Sequence, residues 1–114
     1  MQSWISTRKI VHIRWGHIYI EHGWGGQNKL ANSGKSIFSE SAPMKHLVWE
    51  TTWDPDQDFV QTQDVVLCVR DWAPLTVGTW RDAAGVRHAV SGVGVAVMVD
   101  KDGLGEVITA FPRR

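Results

Sequence analysis

Three histidines recur at intervals of five: His12, His17 and His22, the last two inside "GHIYIEHGWGG", residues 16–26. Imidazole can ligate a metal, move protons near neutral pH, or hydrogen-bond inside a core. Spacing argues against the first. On an ideal helix five residues turn a side chain through about 500°, leaving His17 and His22 about 140° apart. On a strand they face opposite sides. Neither geometry aims both rings at one ion, and zinc pairs on helices take i, i+4 spacing. No Cys or carboxylate cluster completes a ligand set, so no metal and no cofactor are expected. His12, His46 and His88 read as structural. His17 and His22 stay open between acid–base work and a structural role, and only one of them need be catalytic.

Other chemistries fail on their motifs. "GKS" at 34–36 is not a P-loop, because the first glycine would fall at position 29, which is Lys29. There is no G-x-S-x-G elbow for a serine hydrolase. The single cysteine, Cys68, lies in the apolar run "VVLCV" and reads as a buried small hydrophobe. One cysteine makes no internal disulfide, so the fold does not depend on an oxidising compartment.

These residues must be positioned by one modest core, since 114 residues suit a single domain, 1–114. A hydrophobic content of 43% with 21% charged residues is that of a folded chain. No apolar run approaches roughly 18 residues, so no membrane span is expected. No signal peptide is expected either. Seven tryptophans suit a small core that leans on aromatic area, with one or two available to stack on bases. The net charge is zero but uneven. Residues 1–50 carry six Lys/Arg against three Asp/Glu, and residues 51–114 carry six against nine. The locally basic half suits an anionic ligand such as RNA, while "DPDQDFVQTQD" (54–64) is acidic.

Residues 8–22 fit a strand by alternation and a helix by length, with Gly16 weakening a continuous helix. Residues 23–34 read as a loop. "APMKHLVWETTW" (42–53) suits a short helix with Pro43 near its first turn. "QDVVLCVRDW" (63–72) fits a strand or a buried helix. "LTVGTWRD", "GVRHAVSG", "VGVAVMVD" and "GEVITAFP" are β-prone segments separated by turn residues, which predicts an antiparallel meander. The class is therefore α+β: an N-terminal helical part followed by a twisted antiparallel sheet of about four strands.

Three pieces in this order resemble the bacterial ribonuclease toxin domains of the barnase/EndoU/colicin E5-D/RelE-like fold. "HIYIEHG" (17–23) is similar to an H-I-x-x-x-H-G element, "GKSIF" (34–38) to a K-S-x-F element, and "GEVITAFP" (105–112) to the closing strand. Ser39 stands where a Pro commonly follows the K-S-x-F element. Phe111 stands where Tyr is common, so that position supplies no hydroxyl.

The resemblance implies a metal-independent endoribonuclease in which the RNA 2′-OH attacks the adjacent phosphorus. The products are a 2′,3′-cyclic phosphate and a 5′-OH. Histidine can serve as acid or base, lysine as fixed charge and hydroxyls as hydrogen-bond donors. The implied catalytic set is His17, His22, Lys35, Ser36 and Thr109, with Lys29, Arg81, Arg87 and Phe111 as substrate-binding candidates. His22, beside Gly23 and the 23–34 loop, is expected to be the freer ring. His17, among Trp15, Ile18 and Tyr19, is expected to be the more buried. A tRNA target fits, since single-stranded loops splay their bases. The resemblance also implies a cognate immunity protein and delivery from a producing bacterium into a target-cell cytoplasm. Two rival readings stand beside it: a non-catalytic binding module such as an immunity protein or antitoxin, and a nucleotide-modifying or ADP-ribosylating toxin.

Overall fold

A computed structural model describes residues 2–23 and 35–114. The described elements are α1 (Gln2–Thr7), β1 (Ile10–Ile13), α2 (Trp15–His22), β2 (Ile37–Phe38), α3 (Met44–Trp53), β3 (Gln57–Val60), β4 (Val65–Asp71), β5 (Gly78–Arg81), β6 (Arg87–Val90), β7 (Gly92–Val99) and β8 (Gly105–Arg113). They form a five-stranded sheet in the order β1-β8-β7-β4-β3 and a three-stranded sheet in the order β2-β5-β6. The fold is α+β. Strands β8, β7, β4 and β3 are each antiparallel to their neighbours, and β1 joins the edge parallel to β8.

The alternation in "GVGVAVMV" decides how the large sheet is used. Val93, Val95, Val97 and Val99 are buried on one face, each contributing about 1.5–3 kcal/mol. Gly92, Gly94, Ala96 and Met98 point to the other face, because strand side chains alternate. Strand β8 matches this pattern through a bulge. Ala96 pairs with Thr109 and Val97 with Val107, so Ile108 is the extra residue. The bulge lets Val107 and Ala110, three apart, both reach the core.

Helix α3 covers the core face. Its buried residues Leu47, Val48, Thr51 and Thr52 form one stripe. The two threonines are satisfied there: Thr52 Oγ1 donates to the Val48 carbonyl at 2.8 Å, and Thr51 Oγ1 accepts from Trp72 Nε1 at 3.0 Å. At the other end Trp4 is fully buried, and its Nε1 donates to the Lys9 carbonyl at 3.0 Å. The indole occupies the space a Cβ on Gly105 would take, 2.4 Å from that nitrogen. Arg8 closes α1 in the left-handed region, φ 51°. Its guanidinium turns inward to pair with Asp58 and to donate to the Thr52 carbonyl at 3.1 Å. Cys68 is buried beside it, and burial pushes its thiol up to about 12.

The ambiguous 8–22 segment is both structures in turn: strand to Ile13, then helix from Trp15. Gly16 meets nothing within 4 Å, so it costs only helix propensity. The expected meander divides. Segments 78–81 and 87–90 form a hairpin that pairs with β2, whereas β7 takes β4 as its neighbour. The cause is β4 itself. Its run "VVLCV" buries Val66, Cys68 and Val69, which places it inside the sheet rather than before it.

Candidate functional site on the open sheet face

The second face of the large sheet carries β7's small residues, and this is where the sequence-derived candidates gather. Strand β8 presents Thr109, Phe111 and Arg113 opposite Ala96, Gly94 and Gly92. The Phe111 ring lies over Gly94, where a Cβ would stand 2.9 Å from two ring carbons. A larger residue at position 94 would lift the ring away from the sheet.

Helix α2 supplies the wall. It follows β1 along β8, anchored by buried Ile18 and by the Arg14 amide, which donates to the Val107 carbonyl at 3.0 Å. Its last residue, His22, places its ring centroid 5.9 Å from that of Phe111. His22 Nδ1 lies 2.7 Å from the Ser36 carbonyl oxygen. A carbonyl only accepts, so Nδ1 carries the proton and neutral His22 keeps Nε2 as an unprotonated acceptor. Burial lowers the His22 pKa; the Ser36 carbonyl opposes this, and the nearby charge of His17 adds to the lowering. A neutral imidazole with a fixed tautomer is what a general base requires.

Lys35 stands next to this contact and pairs with Glu21 on α2. Both side chains are partly exposed, 48% and 28%, so the pair contributes little to stability and can exchange partners. Arg87 donates to the Lys35 carbonyl at 3.2 Å and to Thr79 Oγ1 at 3.2 Å. Arg81 faces it across the β5–β6 pair. Burial, and then the charge of Arg81, lower the Arg87 pKa without bringing it near neutrality.

The structure thus brings together His22, Ser36, Lys35, Phe111 and Arg87, with Thr109 two residues along β8 on the same face as Phe111. Arg81 lies on the middle strand β5, with its guanidinium against Gly85 in the β5–β6 turn. Lys29 lies outside the described residues. Ser36 is engaged through its main-chain carbonyl, not the hydroxyl expected from the sequence. The expected burial order of the two histidines is reversed. His17 is exposed and His22 half-buried, because Ile18 is the residue that α2 turns into the core and His22 rotates with it toward β8. Among the described residues, no group of three or more His, Cys, Asp or Glu is placed to hold a metal ion. No helix among them is long and apolar enough to cross a membrane.

Comparison with protein-family models, with curated proteins and with solved structures returns no match.

Sequence reasoning missed two contributors. Glu21 was adjacent to His22 in "YIEHG", but nothing in the spacing showed that it meets Lys35. The bare floor was the second: Gly92 and Gly94 count as turn residues in the sequence reading but lie inside β7, and the signal for them was Val alternating with Gly and Ala in "GVGVAV", one face packed and one left clear for close approach.

Proposed function

We propose that the chain is a metal-independent endoribonuclease of the toxin type, acting on single-stranded regions of RNA such as a tRNA loop. The observation that carries this reading is the 2.7 Å contact of His22 Nδ1 with the Ser36 carbonyl, which leaves Nε2 as a base at the rim of an open sheet face. In the proposed step, Nε2 takes the proton of the RNA 2′-OH and the 2′-oxygen attacks phosphorus. The bond from phosphorus to the 5′-oxygen breaks, and that oxygen takes a proton delivered through solvent from the His22 imidazolium. The products are a 2′,3′-cyclic phosphate and a 5′-OH. The incoming phosphate replaces Glu21 as the partner of the Lys35 ammonium, which then stabilises the crowded phosphorane. Phe111 offers an aromatic surface for a neighbouring base.

The non-catalytic reading drew on the acidic segment 54–64. Three of its four aspartates have partners within the chain: Asp58 pairs with Arg8, Asp56 accepts from the Asp71 amide at 2.8 Å, and the largely exposed Asp54 meets Arg70 at 3.5 Å. That segment therefore presents less free negative charge than its composition suggests. A cognate immunity protein, as the proposed partner, would cover the Lys35–Arg87 rim with acidic side chains. Delivery from a producing cell into a target-cell cytoplasm is the setting in which such an activity would work.

Induction of the chain in a bacterium tests the reading. Growth arrest with a discrete set of new RNA fragments on a total-RNA gel is expected. Unimpaired growth with intact RNA contradicts it and favours the binding module; growth arrest with intact RNA favours a nucleotide-modifying toxin.

A further inference from the structure

The large sheet ends on one side at β3, which pairs only with β4 among the described strands. The pairing is in register from Gln57 to Val60 and carries on to Gln61, whose amide donates to the Val65 carbonyl at 2.9 Å. Inward and outward main-chain groups alternate along an antiparallel ladder. Gln57, Phe59 and Gln61 therefore turn their amides and carbonyls to β4, and Asp58 and Val60 turn theirs away from the sheet. No described strand takes up those outward groups.

The side chains of this edge are also left in water. Phe59 is 42% exposed and Val60 60%, and the two point to opposite faces. Natural sheet edges are guarded against further pairing by lysine, proline, a bulge or an inward-pointing charge. Strand β3 has no lysine, proline or bulge, and its inward charge, Asp58, is already met by Arg8.

The charge along the edge has one sign. From residue 46 to residue 69 the chain has no Lys or Arg, and it carries Glu50, Asp54, Asp56, Asp58 and Asp64. The basic groups on this stretch are engaged: Arg8 with Asp58, and Arg70 with Asp54 and with the Trp72 ring, 4.0 Å from its centroid. What remains is the charge of Asp56 and Asp64, both exposed, one before β3 and one after it. Asp56 bonds to a neutral main-chain amide, which leaves its charge standing.

We propose that the free edge of β3 docks an extended, basic segment of a partner protein, which joins the large sheet as a further strand. Main-chain hydrogen bonds to Asp58 and Val60 supply the pairing, as in other strand additions to a sheet edge. Apolar side chains of the incoming segment cover Phe59 on one face and Val60 on the other, and its Lys or Arg residues meet Asp56 and Asp64. A second copy of this chain fits less well, because pairing β3 with β3 brings aspartates of like charge together. The docking goes beyond the ribonuclease reading and does not depend on it. Strand β3 lies three strands from β8, about 14 Å, so a partner on this edge leaves the His22 side of the sheet uncovered.

The test titrates the intact chain with a fluorescent peptide of about seven residues, alternating valine and threonine with lysine at both ends, and with the same peptide ending in glutamate. Anisotropy reads the affinity, and NMR amide exchange reads the place. The lysine peptide is expected to bind about fivefold or more tightly than the glutamate peptide, to weaken as salt rises, and to slow exchange at the Asp58 and Val60 amides. Val60→Lys should weaken the lysine peptide by about fivefold or more. Val60→Pro deletes an outward amide that β4 does not use, so it should do the same with the melting temperature retained. If the proline variant does not fold, Val60→Lys decides. No binding, equal binding of the two peptides, or exchange protection away from β3 overturns the site. Sedimentation velocity is read beside it: a dimer of the chain that Val60→Lys abolishes puts a second copy on the edge and overturns the basic partner.

Discussion

His22 Nδ1 and the Ser36 carbonyl oxygen, 2.7 Å apart, join the end of α2 to the start of β2. This bond fixes the tautomer of the imidazole and joins two residues 14 apart in the chain. The proton on Nδ1 is committed, which leaves Nε2 as the acceptor of the neutral ring.

The pH dependence follows from the burial of that ring. The folded-state pKa of His22 is lowered, first by burial. Between that lowered value and the ordinary value of about 6.5, the unfolded chain binds more protons than the folded one. Stability therefore rises with pH through this window, is level above it, and is lost as pH falls through it. The acidic limb of kcat/KM should likewise lie below pH 6.5, rather than in the range of about 6–7 usual for an unperturbed histidine. NMR titration of the His22 ring checks both. His17→Gln should move that titration upward, because the charge of His17 contributes to the lowering. An unchanged His22 titration in His17→Gln would separate the two rings.

The Lys35–Glu21 pair makes opposite predictions for its members. In the proposed mechanism Lys35→Met removes the charge that meets the phosphorane, and kcat should fall by about 10²-fold, or about 2.7 kcal/mol in the barrier. Glu21→Gln removes the carboxylate that competes with RNA for the ammonium, and KM should fall with little change in kcat. Neither should change stability by more than about 0.5 kcal/mol, since half-exposed pairs contribute little. Equal losses in stability and activity for Lys35→Met would make the residue structural.

Two glycines separate fold from function. Gly105→Ala puts a Cβ 2.4 Å from the buried Trp4 indole and 2.8 Å from Val97. It should cost about 1–3 kcal/mol in denaturant titration. Gly94→Ala meets first the Phe111 ring, at 2.9 Å, and then Arg113 at 3.6 Å. It should leave stability nearly unchanged while displacing Phe111 and weakening RNA binding, as measured by KM.

The elements that follow a strong local pattern were readable from the chain. Valines at alternate positions in β7 and the stripe Leu47–Val48–Thr51–Thr52 in α3 each dictate their own structure. Sheet membership was not. Which strand β7 adopts depends on the non-local burial of "VVLCV", and nothing near β5 or β6 in the sequence shows that their partner is the two-residue strand at Ile37. The site divides in the same way. His22 and Lys35 were singled out by residue type and motif, but the exposure of His17 and the burial of His22 depend on the rotation of α2 about Ile18. That rotation is set by β8, more than 80 residues away in the chain. Glu21 became visible only as the partner of Lys35, and the Ser36 contact runs through a backbone atom that every residue possesses.

The most direct measurement is end-group analysis of labelled RNA incubated with the purified chain in EDTA, beside the His22→Ala chain. Fragments ending in 2′,3′-cyclic phosphate with 5′-OH partners are expected from the wild type. In His22→Ala the rate should fall by about 10²–10⁴-fold with the melting profile retained. RNA left intact, cleavage that EDTA abolishes and zinc restores, or equal cleavage by the folded His22→Ala chain would contradict the assignment of His22 as the base of a metal-independent ribonuclease.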